Sequence, residues 1–256
     1  MSDSPLKVWL DRSGGLLRLQ LARPKANLID AAMIAALSEA FAAHRGNTGI
    51  VAVLLDAEGP HFSFGASVEE HLAERCAQML SSLHALILAM IEWPTPILVA
   101  VRGQCLGGGL EVAMAGSQIF AANDAKFGQP EIQLGVFAPA ASCLLPARIG
   151  QAAAEDLLFS GRSIDASEAK TLGLVTSASG DPSAAALEYF DRHLANKSAA
   201  ALACALPAVR GGYLAEVRQR LSDVERLYHE RLMKTRDANE GLSAFIAKRA
   251  PKWEHR

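Results

Sequence analysis

Two glutamates and a run of three glycines carry the chemistry this sequence could do. Gly107-Gly108-Gly109 is followed at once by Leu110-Glu111, and a second glutamate closes Gly128-Gln129-Pro130-Glu131. Glycine has no side chain and reaches backbone conformations closed to other residues, so a ligand can approach its peptide groups. At the start of a helix such N–H groups lack an intrahelical acceptor and favour negative charge. If that charge is an oxyanion forming on a carbonyl, they become part of an oxyanion hole. Gly65-Ala66, at another strand-to-loop transition, offers a second donor. Two carboxylates beside a polarised carbonyl can move protons to and from carbon, one taking a proton from water and one giving a proton, provided their pKa values are pushed apart or shared. The residues leave open which glutamate does which. Each feature alone has a plainer reading. Three glycines make a tight crossover, a glutamate in a first helical turn serves the dipole, and a loop glutamate is solvated. No GxGxxG surrounds the glycines, so they are not a dinucleotide fingerprint. His61 and His84 read as packing or surface residues, and Asp30 as a cap.

The elements that must position these residues follow from periodicity. Lys7–Leu10 and Leu16–Leu21 read as strands, the second alternating apolar and polar positions. Asp30 is a fitting N-cap for a helix with Met33, Ile34, Leu37 and Phe41 on one face. Ile50–Leu55 and Ile97–Val101 are continuous apolar runs, as in strands buried on both faces. Between them lie a loop over Asp56–Ala66 and a helix carrying Met79, Leu83, Leu86, Ile87 and Met90, which stops at Trp93-Pro94. Leu110–Ala115 reads as a helix and Ile119–Ala121 as a short strand. Beyond Ala152 the pattern is helical, with only Leu174–Thr176 reading as a strand. Val217, Leu221, Val224 and Tyr228 then mark one face of a late helix, and a last helix follows Asp237. This alternation predicts a layered α/β core with right-handed crossovers over residues 1–197, and a helical C-terminal region over 198–256.

Composition narrows the function classes. The chain has 256 residues, half of them hydrophobic and a fifth charged, with a net charge of −2. No Lys/Arg run suggests a nucleic-acid surface. The first residues lack the basic and apolar regions of a signal peptide. The apolar run Ala85–Ile91 is far short of the roughly 20 residues that span a bilayer. Four scattered cysteines form no CxxC pair, which suggests neither a disulfide frame nor a metal site. The expectation is a soluble, cytoplasmic protein with no nucleic-acid or membrane partner.

Four motifs in order resemble the crotonase, or enoyl-CoA hydratase/isomerase, superfamily: Arg23-Pro24-Lys25-Ala26-Asn27, His61-Phe62-Ser63-Phe64-Gly65-Ala66, Gly103 through Glu111, and Lys126 through Glu131 with Leu134-Gly135. The ending from Asp237 through Phe245 to Lys248-Arg249 also resembles the family, so the likeness covers nearly the whole chain. The resemblance implies a spiral of ββα units with a helical, trimer-forming C-terminal part, in a homotrimer or a dimer of trimers. It implies a coenzyme A thioester as substrate, with no separate cofactor and no metal. The Ala66 and Gly108 N–H groups would hold the thioester oxygen as an enolate forms, and Glu111 and Glu131 fall on the two hydratase glutamates. Lys25, Ala26, Ser67 and Val68 would lie along the coenzyme, Gly107 and Gly109 beside the substrate, and Phe245 and Lys248 would reach a neighbour's ligand.

Two departures from the family pattern reshape the expectation. After Ala66 the chain reads Ser67-Val68-Glu69, without the acid and lysine common there. After Glu131, glycines usual in the family give way to Phe137-Ala138-Pro139-Ala140-Ala141-Ser142. An aromatic and methyl groups would then wall the acyl pocket, while Pro139 remains a good first helical residue. Both departures look like a branch of the family that hydrates a ring diene conjugated to the thioester, in anaerobic breakdown of aromatic acyl groups. On that reading water adds at the far end of the conjugated system. The rivals are a hydratase of straight-chain 2-enoyl-CoA, a Δ3–Δ2 double-bond isomerase, and a non-catalytic paralogue that only binds CoA thioesters.

Overall fold

The computed structural model describes residues 4–72 and 76–256. In chain order the elements are β1 Leu6–Asp11, β2 Leu16–Leu21, α1 Ala31–His44, β3 Ala52–Ala57, α2 Cys76–Ile91, β4 Ile97–Val101, β5 Gln104–Leu106, α3 Gly108–Ala115, β6 Gln118–Ala122 and β7 Lys126–Gly128. There follow α4 Pro139–Ile149, α5 Gln151–Ser160, β8 Ser163–Asp165, α6 Ala166–Thr171, β9 Ser177–Ser179, α7 Pro182–Tyr189, α8 Ala199–Glu230 and α9 Arg236–Ile246.

Six strands make one sheet in the order β1-β2-β3-β4-β6-β9, and β5-β7-β8 make a second. Only β1 is antiparallel to its neighbour in the first sheet; β2, β3, β4, β6 and β9 run parallel. Continuous apolar strands suit such a sheet because both faces are covered. Val53, Leu55, Ile97 and Val99 point into the main core, while Ala52, Leu54, Leu98 and Ala100 pack with Ala186 and Phe190 on the other face. The Asp30 side chain accepts from the Met33 N–H at 2.9 Å and caps α1, as its position predicts.

The strand pairing brings the motifs together. β3 and β4 are parallel neighbours, with Val53 opposite Ile97 and Leu55 opposite Val99. Chain leaving their carboxyl ends therefore emerges on one edge of the sheet. After β3 it forms the loop to Ala66; after β4 it forms β5 and then α3. The small second sheet pairs Leu106 with Gly128, which sets the strand before Glu131 beside the glycines.

Three strand expectations need correction. The segment Leu174–Thr176 lies before the strand: the Thr176 N–H donates to the Ile119 carbonyl at 2.7 Å, and β9 itself starts at Ser177, opposite Phe120. Leu174 and Val175 are instead buried in the main core as the chain enters the sheet. β8 also lies beyond Ala152, and β5 and β7 pass through the glycine and glutamate motifs. Each of these three strands has three residues, too few to show an alternation. No single described helix is long and apolar enough to cross a membrane.

Candidate active site

The Ala66 and Gly108 peptide groups face each other. A Cβ placed on Gly108 would stand 3.1 Å from the Ala66 nitrogen and 3.1 Å from its Cβ. Gly65, with φ of +105°, lies against Leu106 and Gly107, so only a residue without a side chain makes this close approach. Among the described residues no backbone carbonyl accepts from the Ala66 or Gly108 N–H. Two unpaired donors thus lie side by side where β3 and β4 deliver their loops.

Hydrogen bonds from the Arg23–Asn27 motif hold the Ala66 loop. Asn27 is fully buried with a left-handed φ of 45°. Its amide donates to the Glu58 and His61 carbonyls at 3.0 Å each, and its Oδ1 accepts from the Arg23 N–H at 2.8 Å. The Ser63 hydroxyl donates to the Asn27 carbonyl at 2.7 Å and accepts from the Gly65 N–H at 3.1 Å. Ile29 N–H donates to the Gly65 carbonyl at 3.0 Å. His61 is a structural residue, its Nδ1 accepting from the Gln104 N–H at 3.1 Å. The first three motifs are therefore one hydrogen-bonded unit.

Glu111 lies in the first turn of α3, a helix whose eight residues are all buried. Its Oε1 accepts from the Ala141 N–H at 2.8 Å, and the Ala140 N–H also faces it. These donors belong to the first turn of α4, which begins at Pro139 as expected. Burial pushes the Glu111 carboxyl above the usual range, and the two N–H groups draw it back down.

Glu131 lies in a 3-10 turn, Pro130–Leu134. The residue is partly exposed, but its carboxyl end is turned inward over Gly107, where a Cβ would stand 2.5 Å from Oε1. Burial raises this carboxyl too, and the charge of Glu111 raises it further. Behind it is Gln129, 1% exposed, a polar residue the motif contained but to which no role was assigned from sequence. With its amide nitrogen toward Glu131, Gln129 donates to Oε2 at 3.0 Å and Oε1 at 3.2 Å. The Gly-Gln-Pro-Glu spacing was the available signal, because an amide two residues before a buried acid must itself find a partner.

The other expected site residues fall into four groups. Gly107 is the N-cap of α3, with φ of 49°, and lies directly under Glu131. Gly109 lies against Ser63, where a Cβ would stand 2.5 Å from the serine Cβ. Ser67, Val68 and Ala26 are half-buried and Lys25 is exposed along the rim. Phe137 is half-buried, its ring 5.3 Å from that of Tyr228. Phe245 and Lys248 are both exposed, at the end of α9 and just beyond it. α9 presses on the Glu131 turn through Gly241, where a Cβ would collide with the Leu134 carbonyl.

The sequence matches the enoyl-CoA hydratase/isomerase family over residues 11–256. The chain belongs to this family. It is 62% identical over 255 residues to the cyclohexa-1,5-dienecarbonyl-CoA hydratase of Thauera aromatica, covering 100% of this chain and 99% of that one. A crystal structure of an enoyl-CoA hydratase/isomerase from Pseudoalteromonas atlantica is 30% identical with a TM-score of 0.84, covering 97% of this chain and 99% of that chain. An enoyl-CoA hydratase structure from Bacillus halodurans has a TM-score of 0.87 at 24% identity, covering 94% and 100%, and supports the spiral fold alone. Within this enoyl-CoA hydratase/isomerase fold, two free N–H donors and two unequally held carboxyls lie close together. That arrangement can polarise a carbonyl and pass protons on either side of it.

Proposed function

We propose that this protein is a hydro-lyase that adds water to cyclohexa-1,5-diene-1-carbonyl-CoA, giving 6-hydroxycyclohex-1-ene-1-carbonyl-CoA. Full-length identity of 62% to a hydratase of that name carries the choice of substrate. Phe137 and the alanines of α4, where glycines are usual, agree with a flat ring. The thioester oxygen accepts from the Ala66 and Gly108 N–H groups. Glu111, kept closer to its ionised form by the Ala140 and Ala141 N–H groups, takes a proton from water. Glu131 carries the shared proton and gives it to carbon.

Counting charge moves the point of attack from the far end of the conjugated system to the ring carbon β to the thioester. Only there does the incoming electron pair reach the thioester oxygen. The resulting dienolate takes a proton at the ring carbon directly opposite, and the double bond moves between them. Renumbered, the hydroxyl-bearing carbon is carbon 6 of the product. One water is consumed, one C–O and one C–H bond form, and no further cofactor enters. In straight-chain hydration the two changing carbons are adjacent; here they lie across the ring, so the two acids bracket it.

The same reading puts Lys25, Ala26, Ser67 and Val68 along the coenzyme. It makes residues 198–256 the contact region of a trimer or a dimer of trimers, with Phe245 and Lys248 reaching toward a neighbour's ligand, in the cytoplasm. A side-by-side hydration assay with the cyclic dienoyl-CoA and with crotonyl-CoA tests the proposal. Preference for the ring is expected; turnover of crotonyl-CoA alone overturns the substrate and keeps the chemistry.

A further inference from the structure

One buried hydroxyl near the two glutamates has no partner. The sequence pattern Val217, Leu221, Val224, Tyr228 marks the packing face of α8, and Val217, Leu221 and Tyr228 are indeed buried. Tyr228 is the only one of the four with a polar atom, and it is 0% exposed. Its hydroxyl makes no hydrogen bond with any described residue. The neighbouring Cys76 thiol, a weak donor and acceptor, acts on it without reaching hydrogen-bond geometry. A buried polar group left so costs about 1–3 kcal/mol and calls for an explanation.

The surroundings supply one. Tyr228 belongs to a small cluster with Cys76, Met79 and Val136, against which Val68, Leu134 and Phe137 pack. Val68 follows the Ala66 donor by two residues, and Leu134 to Phe137 follow Glu131 directly. The cluster therefore lies beside the loop that carries the Ala66 donor and the turn that carries Glu131. Phe137 meets the Tyr228 ring edge-on at 71°, which fixes the ring plane. Burial and the nearby Cys76, Glu131 and Glu111 hold the phenol protonated, so it is a permanent donor.

We infer that the Tyr228 hydroxyl is a second ligand, beside Glu111, of the oxygen that is added to the substrate, donating to the product's new hydroxyl group. This rests on the hydratase reading above. It makes Tyr228 a residue that distinguishes hydroxylated from unhydroxylated acyl groups.

The test is Tyr228→Phe, which removes one oxygen and keeps the ring, followed by binding measured calorimetrically. The probes are 6-hydroxycyclohex-1-ene-1-carbonyl-CoA and cyclohex-1-ene-1-carbonyl-CoA, which lacks the hydroxyl. The expected result is about 5- to 10-fold weaker binding of the hydroxylated thioester, an unhydroxylated thioester bound within about twofold, and a Tm unchanged or raised. Equal loss for both probes would mean a packing role, and no loss for either would mean no role; each overturns the inference. Wild-type turnover on the ring diene is run in parallel. If wild type hydrates only crotonyl-CoA, the substrate proposal fails by itself, and the inference is judged on 3-hydroxybutyryl-CoA against butyryl-CoA with the same expected split.

Discussion

Glu111 and Glu131 are the same side chain in two unlike settings. Glu111 stands in a helix buried along its whole length and takes peptide N–H groups from the start of another helix. Glu131 stands in a short turn whose Ile132 and Gln133 are exposed, backed by the Gln129 amide. Backbone donors favour a carboxylate, whereas a neighbouring negative charge favours the protonated acid. The two carboxyls are thus held unequally: two backbone donors face one, while a side-chain amide and the charge of the first face the other.

The largest effect should come from erasing that difference. Glu111→Gln and Glu131→Gln should each lower kcat by about 10²–10⁴-fold while circular dichroism stays native. The double variant should fall little further, because the two groups act as a unit. Near-wild-type turnover by the double variant would sink the acid–base pair.

The glycines sharpen the contrast. In Gly107→Ala the new methyl meets the Glu131 carboxyl at a positive φ, whereas in Gly109→Ala it meets Ser63. The first should reduce turnover at least about tenfold with a modest loss in Tm. The second should mainly lower Tm. Thermal melts and kcat measured on both variants check the split, and equal effects would erase it.

Asn27 allows a smaller, purely structural test. Asn27→Ala leaves the Glu58 and His61 carbonyls and the Arg23 N–H without their partner. Denaturant unfolding should show a loss of about 1–3 kcal/mol, with KM rising because the Ala66 loop is less well held. A stable variant with unchanged KM would detach the first motif from the site.

The smallest effect is in pH dependence. In the folded protein Glu131 binds its proton more tightly than an unfolded glutamate does. Wild type therefore loses stability as pH climbs from the ordinary glutamate range through the raised value. Glu131→Gln has no such group, so its Tm should exceed that of wild type at mildly alkaline pH, and the gap should close towards pH 4.5. A gap independent of pH would mean that the carboxyl is not raised.

Much of this was legible in the residues. Val53 to Leu55 and Ile97 to Val101 are apolar at every position, and only a sheet covered on both faces uses strands of that kind. The glycines before Glu111 and the turn before Glu131 announced two acids on separate elements. What stayed hidden was set by partners distant in sequence. β5, β7 and β8 are three residues each and exist because they pair with one another, so no local pattern marks them. Leu174 and Val175 looked like a strand because they are buried, but burial here precedes the pairing. Tyr228 looked like one more packing residue, since helical spacing shows which face is inward and not what that face meets.

The parallel register of β3 and β4 has a consequence for how this fold can change. Both candidate carbonyl-binding donors are peptide groups placed by strand pairing, and a substitution can alter a side chain but cannot delete an N–H except by proline. Outside the glycines that let the two loops meet, the polarising half of the candidate site is thus sheltered from most side-chain substitution, while the residues around it at Phe137, the α4 alanines and Tyr228 can vary. A lineage could retarget the acyl group by changing those residues and never pass through a form that has lost its grip on the thioester.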